Sequence, residues 1–460
     1  MKVEQIYTGC LSQGAYYIES NGEAVIIDPL RETKPYLDRS KNDGATIKYI
    51  FETHFHADFV SGHITLSQQT GAAIVYGPTA KPSFETIIAS DGQVFKIGNV
   101  TITALHTPGH TMESTTYLLK DEHGKDYAIF SGDTLFLGDV GRPDLAQKAN
   151  EITQEDLAGI LFDSLRNKIM PLPDDIIVYP AHGAGSACGK NMMKETVDTL
   201  GNQKKMNYAL RPDMTREEFI KEVTDGLAPP PLYFPMNVKM NREGYASFDE
   251  VISEGTKPLN PDDFERLTNE TDAIVLDVRS QIEFIESHIP RSIFIGLDGG
   301  FAPWVGALIA DVEQKIVLVV SPGREEEAVT RLSRVGFDKT LGYLSGGIAA
   351  WKEAGKEVDS LESITAETFK SELEKNIPVF DVRNEGEFIG AHLPQAIHAP
   401  LVFLNDYIKE IPSKEKFYVY CAGGYRSVIA ASILKSRGIH NVVDVAGGFA
   451  AIKNAEIYIE

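Results

Sequence analysis

Short apolar runs recur along the chain, and in its second half they alternate with segments of helical periodicity. In the first half, Val25-Ile26-Ile27 and Ile47-Lys48-Tyr49-Ile50-Phe51 read as strands, and a helix is predicted from about Gly62. Further strands are predicted to end at Leu105-His106, Phe130-Ser131 and Val178-Tyr179. The segment from Thr215 to Asp225 is helical in pattern. Ala228-Pro229-Pro230-Pro231-Leu232-Tyr233-Phe234-Pro235 cannot continue it, because proline has no amide proton to donate, and reads as a stiff connection. The residues from there to about Pro261 show little periodicity and are expected to be a linker or a packed extension.

Beyond that point the chain nearly repeats itself. Ala273-Ile274-Val275-Leu276-Asp277-Val278-Arg279 is echoed by Pro378-Val379-Phe380-Asp381-Val382-Arg383, roughly 100 residues later. Glu283-Phe284 with His288-Ile289-Pro290 is echoed by Glu387-Phe388 with His392-Leu393-Pro394, and Ser345-Gly346-Gly347 by Ala446-Gly447-Gly448. Such a period is too long for a solenoid and fits two copies of a small α/β domain with a helix-covered parallel sheet. The expected organisation is a first domain over 1–235, a connection over 236–260, and two related domains over 261–358 and 359–460.

Composition narrows the function classes. At 460 residues the chain is too long for one ordinary core, and it carries no low-complexity tract. A formal net charge of -22 would repel nucleic acid or an anionic membrane surface, so neither is expected as a partner. The start Met1-Lys2-Val3-Glu4-Gln5-Ile6-Tyr7 lacks a basic, then apolar leader, and no apolar run approaches bilayer length, so a cytoplasmic protein is expected. Three widely separated cysteines, Cys10, Cys188 and Cys421, argue against a disulfide framework.

The chemistry gathers at strand ends. Thr53-His54-Phe55-His56-Ala57-Asp58-Phe59 follows one strand, Leu105-His106-Thr107-Pro108-Gly109-His110 another, Phe130-Ser131-Gly132-Asp133 a third, and Val178-Tyr179-Pro180-Ala181-His182 a fourth. Imidazoles two residues apart in one loop can face a single cation. The series resembles the metallo-β-lactamase superfamily pattern His-x-His-x-Asp-His, then His, Asp and His, over the first half of the chain. That resemblance implies an αββα sandwich. Phe59 stands where the last histidine of the first motif belongs, and a phenyl ring cannot bind a metal.

Within that superfamily the chain looks most similar to the persulfide dioxygenases. The likeness implies one Fe(II), held by His54, His110 and Asp133, in the two-His, one-carboxylate arrangement of non-haem iron oxygenases. His56, Asp58 and His182 are then expected to hydrogen bond to ligands or bound water. Arg142 matches a position that binds the carboxylate of the thiol substrate; as a lone arginine it also reads as an ion pair. Cys188 follows His182 closely enough to approach the metal pocket, as an auxiliary sulfur acceptor or as a packed loop residue. Asp28 is expected to brace the metal loop, Cys10 to pack, and His63 and His106 to have no role.

In the last repeat, the strand Phe417-Tyr418-Val419-Tyr420 delivers Cys421-Ala422-Gly423-Gly424-Tyr425-Arg426-Ser427 ahead of an apolar helical segment. A Cys-x4-Arg loop with two glycines can curl its amides around the sulfur, favouring thiolate and a charged persulfide, with Arg426 adding positive charge for an incoming anion. The middle copy has Ser321-Pro322-Gly323-Arg324-Glu325-Glu326 instead, and serine cannot form a persulfide. Both copies resemble rhodanese domains, the middle one inactive and kept as a spacer or docking surface. In that family the Asp-Val-Arg segment is architectural, so Asp381 and Arg383 are expected to form an internal ion pair.

Taken together, the arrangement resembles bacterial multidomain sulfide-detoxification fusions. The resemblance implies oxidation of low-molecular-weight thiol persulfides by O2 to sulfite, transfer of a second sulfur through Cys421 to give thiosulfate, and a homo-oligomer, dimer or tetramer. Two rivals are a dinuclear zinc thiolester hydrolase of the glyoxalase II type, opposed by Phe59, and a non-catalytic sulfur relay, opposed by the intact His54, His110 and Asp133.

Overall fold

Asn21 and Gly22, with φ of 51° and 80°, join Gln13–Ser20 to Glu23–Ile27 in an antiparallel hairpin that pairs Ser20 with Glu23. Positive φ at both turn residues gives the two-residue turn whose twist matches its strands. In the computed structural model, which describes residues 1–147 and 151–460, this hairpin opens a six-stranded sheet. Its order is Lys2–Thr8, Gln13–Ser20, Glu23–Ile27, Thr46–Phe51, Ala73–Tyr76 and Ile87–Ile88. A second six-stranded sheet runs Asp198–Thr199, Ile177–Pro180, Asp126–Gly132, Thr115–Lys120, Val100–His106 and Val94–Ile97.

The inner faces meet in one core: Tyr16, Ile18, Val25, Ile27 and Phe51 from the first sheet, with Ile102, Tyr117, Leu119 and Phe130 from the second. Because side chains alternate along a strand, Tyr17, Ile26 and Ile50 face the other way. They pack with Tyr36 and Leu66 of the helices Lys34–Asn42 and His63–Thr70. Leu118, Ile129 and Val178 likewise meet Leu161 and Phe219 of Gln154–Ser164 and Arg216–Thr224. The layers are therefore αββα, as expected. Both helices on that side start with reciprocal capping boxes, Thr153 with Asp156 and Thr215 with Glu218, which satisfy amides the helix leaves unpaired.

The chain divides into two compact units, Met1–Phe248 with Ser333–Gly336, and Asp249–Leu332 with Phe337–Glu460. The region read as a linker or packed extension is largely helical, with helices Phe234–Glu243 and Phe248–Gly255. The first of these belongs to the first unit. Its Asn241 accepts from Ser61 N at 2.8 Å and donates to the carbonyls of His56 and Phe59 at 2.8 and 2.8 Å. A segment with weak periodicity thus pins the loop that carries the first histidine motif.

The second unit holds two five-stranded parallel sheets. One runs Pro258–Leu259, Thr340–Leu344, Ile316–Val319, Ile274–Asp277 and Ile293–Phe294; the other runs Glu362–Ile364, Val442–Val445, Phe417–Tyr420, Val379–Asp381 and Ala396–His398. The repeated Asp-Val-Arg segments do the same work in both. Arg279 Nη2 donates to Asp277 at 2.6 Å and to the Ser287 carbonyl at 2.8 Å, and Arg383 Nη2 donates to Asp381 at 2.6 Å and to the Ala391 carbonyl at 2.8 Å. These buried pairs tie each strand end to the following helix, as expected of an architectural segment.

Candidate metal centre and sulfur-transfer loop

The strand Thr46–Phe51 ends beside Asp28, and Asp28 organises the loop that leaves the strand. Its carboxylate accepts from Thr53 N at 2.8 Å and from Thr53 Oγ1 at 2.9 Å. The Thr53 hydroxyl has one proton and gives it to the carboxylate, so toward His54 Nδ1, 3.0 Å away, it accepts. His54 therefore carries its proton on Nδ1 and presents a bare Nε2. His110 is set the same way, since its Nδ1 lies 2.8 Å from the Arg142 carbonyl, which only accepts.

The two bare Nε2 atoms converge on Asp133. Its Oδ2 lies 3.8 Å from His54 Nε2 and 3.4 Å from His110 Nε2, and it has no hydrogen-bond partner among the described residues. All three side chains are buried. An orphaned carboxylate oxygen facing two imidazole lone pairs is costly without a cation, so the donor set fits a divalent metal. Burial first, and His56 next, hold His54 well below the ordinary imidazole range, which keeps it neutral as a ligand must be.

His56 turns away from this set. Its Nε2 lies 3.1 Å from Asp28 Oδ1 and 3.4 Å from Glu52 Oε2, and its ring stacks on Phe59 at 4.2 Å. Burial opposes its charging, but the Asp28 and Glu52 carboxylates outweigh that and push it up to about 10. Burial also raises Glu52, to about 7. Glu52 went unread in the sequence, where it is one more residue at the end of a strand.

His182 donates from Nδ1 to Asp133 Oδ1 at 2.8 Å, and its Nε2 lies 2.8 Å from Asp58 Oδ2 without hydrogen-bond alignment. Cys188 is buried and its ligand atom groups with those of Asp58 and His182, all within 4.8 Å of one another. Burial, then the charges of Asp58 and Asp133, push the Cys188 thiol well above its ordinary value, an environment unlike that of an activated thiolate.

Arg142 is where the structure departs from a free anion binder. Its guanidinium is buried, holds Asp144 through two bonds of 2.7 and 2.7 Å, and donates to the carbonyls of Ala187 and Ala228. Its backbone does more for the site: the carbonyl orients His110, and the amide donates to the Cys188 carbonyl at 3.0 Å. Sequence gives no sign of that link.

In the second unit, Cys421 leaves the strand Phe417–Tyr420 and is buried. Gly424, at φ 100°, caps the helix Tyr425–Ser436 and donates its amide to Cys421 Sγ at 3.1 Å. A sulfur at a helix N-terminus with an amide aimed at it is held where negative charge is favoured. Arg426, expected to offer positive charge to an incoming anion, is paired through two bonds with Glu387, at 2.6 and 2.8 Å. The middle domain packs on the same helix. Tyr425 donates to the Gly296 carbonyl at 2.7 Å, and its ring lies so close to Gly299 that a Cβ there would sit 2.3 Å from Cζ. In the middle domain's own loop, Arg324 is paired with Glu327 and Asp298 ahead of a helix that begins with Glu325, Glu326 and Glu327.

Comparison with known proteins places the fold. The metallo-beta-lactamase superfamily model matches residues 8–182, and the rhodanese-like domain model matches 260–354 and 365–455. Human mitochondrial persulfide dioxygenase ETHE1 is 30% identical over 221 residues, covering 48% of this chain and 78% of the relative. A hydroxyacylglutathione hydrolase of Tolumonas auensis is 34% identical over 171 residues, 36% of this chain, so that the chain spans 60% of that relative's length. A crystal structure of a metallo-beta-lactamase from Staphylococcus aureus superposes with a TM-score of 0.67 at 32% identity, covering 74% of this chain and 98% of the other.

Proposed function

Because the chain belongs to the metallo-β-lactamase superfamily and joins two rhodanese-like domains to that fold, we propose that it is an Fe(II)-dependent persulfide dioxygenase coupled to sulfur transfer through Cys421. A low-molecular-weight thiol persulfide, O2 and water give sulfite and the free thiol. A second persulfide passes its outer sulfur to Cys421, leaving its own thiol, and sulfite takes that sulfur as thiosulfate.

The observation that carries this reading is the buried set of His54 Nε2, His110 Nε2 and the orphaned Asp133 Oδ2, together with a phenylalanine at position 59. Relatives of both kinds match this stretch, and Phe59 favours the dioxygenase. A hydrolase of the glyoxalase II type needs hydroxide held between two metals, and the phenyl ring removes an imidazole from the second metal's usual ligands. When bound, Fe(II) supplies the redox chemistry between sulfane sulfur and O2. Asp28, Thr53 and the Arg142 carbonyl fix which nitrogen of each imidazole faces the metal, and His182 holds the second oxygen of Asp133.

In the rhodanese half, the Gly424 amide and the helix it caps support negative charge on the Cys421 sulfur, and Arg426 attracts sulfite by exchange with Glu387. Covalent fusion raises the concentration of sulfite available to Cys421. No helix of the described residues is long and apolar enough to cross a membrane, and sulfur transfer needs Cys421 as a thiol, which fits a reducing cytoplasm. The test is oxygen consumption by iron-loaded protein given glutathione persulfide or coenzyme A persulfide, with sulfite and thiosulfate measured together. Uptake that vanishes on iron removal is expected; no uptake with either persulfide, and thiolester cleavage instead, would move the assignment to the hydrolase.

A further inference from the structure

Behind the Cys421 loop lies a buried carboxylate that the sulfur-transfer chemistry leaves unused. Ser427 Oγ has one proton and two acceptors within reach, Asp444 Oδ1 at 2.6 Å and the Gly424 carbonyl at 3.1 Å. Ser363 Oγ donates to the other Asp444 oxygen at 2.8 Å. Asp444 and Ser427 are 1% and 0% exposed. We propose that Ser427 and Asp444 are positioning residues for the Cys421 sulfur: a proton on Asp444 frees Ser427 to hold the Gly424 carbonyl, and its loss lets the Gly424 amide swing away from the sulfur.

The two protonation states divide the bonds differently. An ionised Asp444 takes the Ser427 proton, and the Gly424 carbonyl keeps only the Val428 amide, at a long 3.4 Å. A neutral Asp444 donates its own proton to Ser427 Oγ, and the Ser427 hydroxyl turns to Gly424. The Gly424 amide points at Cys421 Sγ from 3.1 Å, and its φ of 100° is one that glycine both adopts and leaves freely. Whatever ties down the Gly424 carbonyl therefore steadies its amide. The step is the uptake of one proton from solvent by a carboxylate, and nothing is oxidised or reduced. Because coupling between two sites is reciprocal, negative charge on the sulfur, as thiolate or persulfide, draws that proton onto Asp444.

The charged groups of the elements packed against Asp444 are engaged elsewhere. Arg426 and Lys435 of the helix Tyr425–Ser436 pair with Glu387 and Asp359, and its Tyr425 donates to the Gly296 carbonyl. Glu362, on the strand that sets Ser363 beside Asp444, pairs with Lys416. Tyr418 and Tyr420 of the other neighbouring strand pack with Val443 and Val445, which alternate with Asp444 and so face away from it. Burial without a countercharge raises Asp444 to about 6 from an ordinary 3.8. Ser427 thus holds Gly424 below that pH and releases it above.

The proposal deepens the reading of Cys421 as a sulfur carrier and rests on it for what the sulfur does next, whereas the experiment reads the thiol itself. Full-length protein is alkylated with iodoacetamide at about pH 5.5 and about pH 8, and the rate at Cys421, which follows its thiolate, is resolved by peptide mass spectrometry. Asp444→Asn keeps the bonds of the neutral acid at every pH, since its amide nitrogen donates to Ser427 and its oxygen accepts from Ser363. Its Cys421 should react as fast as the parent's at the lower pH, within about twofold, and about tenfold faster at the higher, the low end for a hydrogen bond to a charged group. Ser427→Ala should match the slow parent at the higher pH and lose the parent's advantage at the lower. A merely structural role would change each variant's rate by the same factor at both pH values. A ratio of Asp444→Asn to parent that does not change with pH, or a Ser427→Ala rate equal to the parent's at the lower pH, would overturn the proposal; should Ser427→Ala misfold, that ratio decides it alone. Sulfur transfer from thiosulfate to cyanide is measured on the same preparations. Its absence with the alkylation pattern intact would remove the sulfur-carrier reading and still support the coupling of Asp444 to Cys421.

Discussion

Replacing Thr53 by valine tests the hydrogen-bond chain that sets the His54 tautomer. Valine keeps the branched shape that Gly132 closes upon, where an added Cβ would lie 2.6 Å from Thr53 Cβ. It removes the hydroxyl that accepts from His54 Nδ1 at 3.0 Å. In the metal-free protein the ring escapes the loss by moving its proton to Nε2, which faces Asp133 Oδ2 at 3.8 Å. The metal-loaded protein has no such escape, because Nε2 is then the donor to the cation. The cost of a buried, unpaired N–H, about 1–3 kcal/mol, therefore falls on the loaded state. At about 1.4 kcal/mol per tenfold this weakens the metal by about 5- to 150-fold, matching the 10- to 100-fold typical of groups that support metal-ligating imidazoles. The assay is iron retention against a chelator of known affinity, in Thr53→Val and Thr53→Ser. An affinity in Thr53→Val within twofold of the parent, or a Thr53→Ser variant as weak as the valine, would refute the argument.

Asp133→Ala or His110→Ala is expected to abolish persulfide-dependent oxygen uptake while leaving sulfur transfer from thiosulfate to cyanide intact, each measured on the same preparation. Cys421→Ser should keep oxygen uptake largely unchanged and shift the product from thiosulfate to sulfite; thiosulfate still dominant would remove Cys421 from the reaction. Burial raises Asp444, whose carboxylate takes the hydroxyl protons of Ser427 and Ser363, to about 6 from an ordinary 3.8. The folded state thus holds that proton more tightly than the unfolded chain, so the stability it lends is full below about pH 3.8 and is lost as pH rises through 6. Chemical unfolding should show the second unit weaker at pH 8 than at pH 5, by about 1.4 kcal/mol, and Asp444→Asn should erase that difference.

Residues whose chemistry depends on strand ends were readable in the sequence. His54, His110 and Asp133 each follow an apolar run that the sequence marks as a strand, and the resemblance to the persulfide dioxygenases singled out these three among the ligand-type residues at such ends. The Asp381–Arg383 pair was expected from the resemblance to rhodanese domains, and the repeat of the same segment carries it to Asp277–Arg279. Contacts that depend on loop trajectory were not. Glu387 lies 39 residues before Arg426, and no periodicity links a capping glutamate of one helix to the second residue of another. Cys188 reaches Asp58 only because the loop after His182 curls back under the Arg142 amide. Asn241 clamps the metal loop from a helix that showed little amphipathic pattern, because one face of it is occupied by polar contacts rather than by apolar packing.

The two arginines considered for anion binding, Arg426 and Arg142, the latter also read as an ion pair, are both paired in the structure, and their surroundings assign them different work. The Arg142 and Asp144 side chains are 5% and 9% exposed, whereas Arg426 and Glu387 are 15% and 36% exposed. Breaking a buried pair strands a desolvated charge and costs roughly 3–5 kcal/mol, while a pair whose carboxylate reaches water is worth about 0–1 kcal/mol. A small anion can therefore displace Glu387 toward solvent at less cost than it could displace Asp144, giving up the carboxylate's bond to Asn384 N, and the guanidinium stays charged throughout. Displacing Asp144 would need a ligand that replaces a buried bidentate carboxylate and respects two carbonyl bonds as well. Exchange would suit the proposed transfer of sulfur to sulfite. A locked pair suits a brace, and the Arg142 backbone is one, since its carbonyl fixes the His110 tautomer and its amide holds the Cys188 loop. In a chain of net charge -22, pairing each guanidinium with a carboxylate spares the fold an unpaired buried cation, so one device braces the candidate metal site at Arg142 and leaves an exchangeable partner at Arg426.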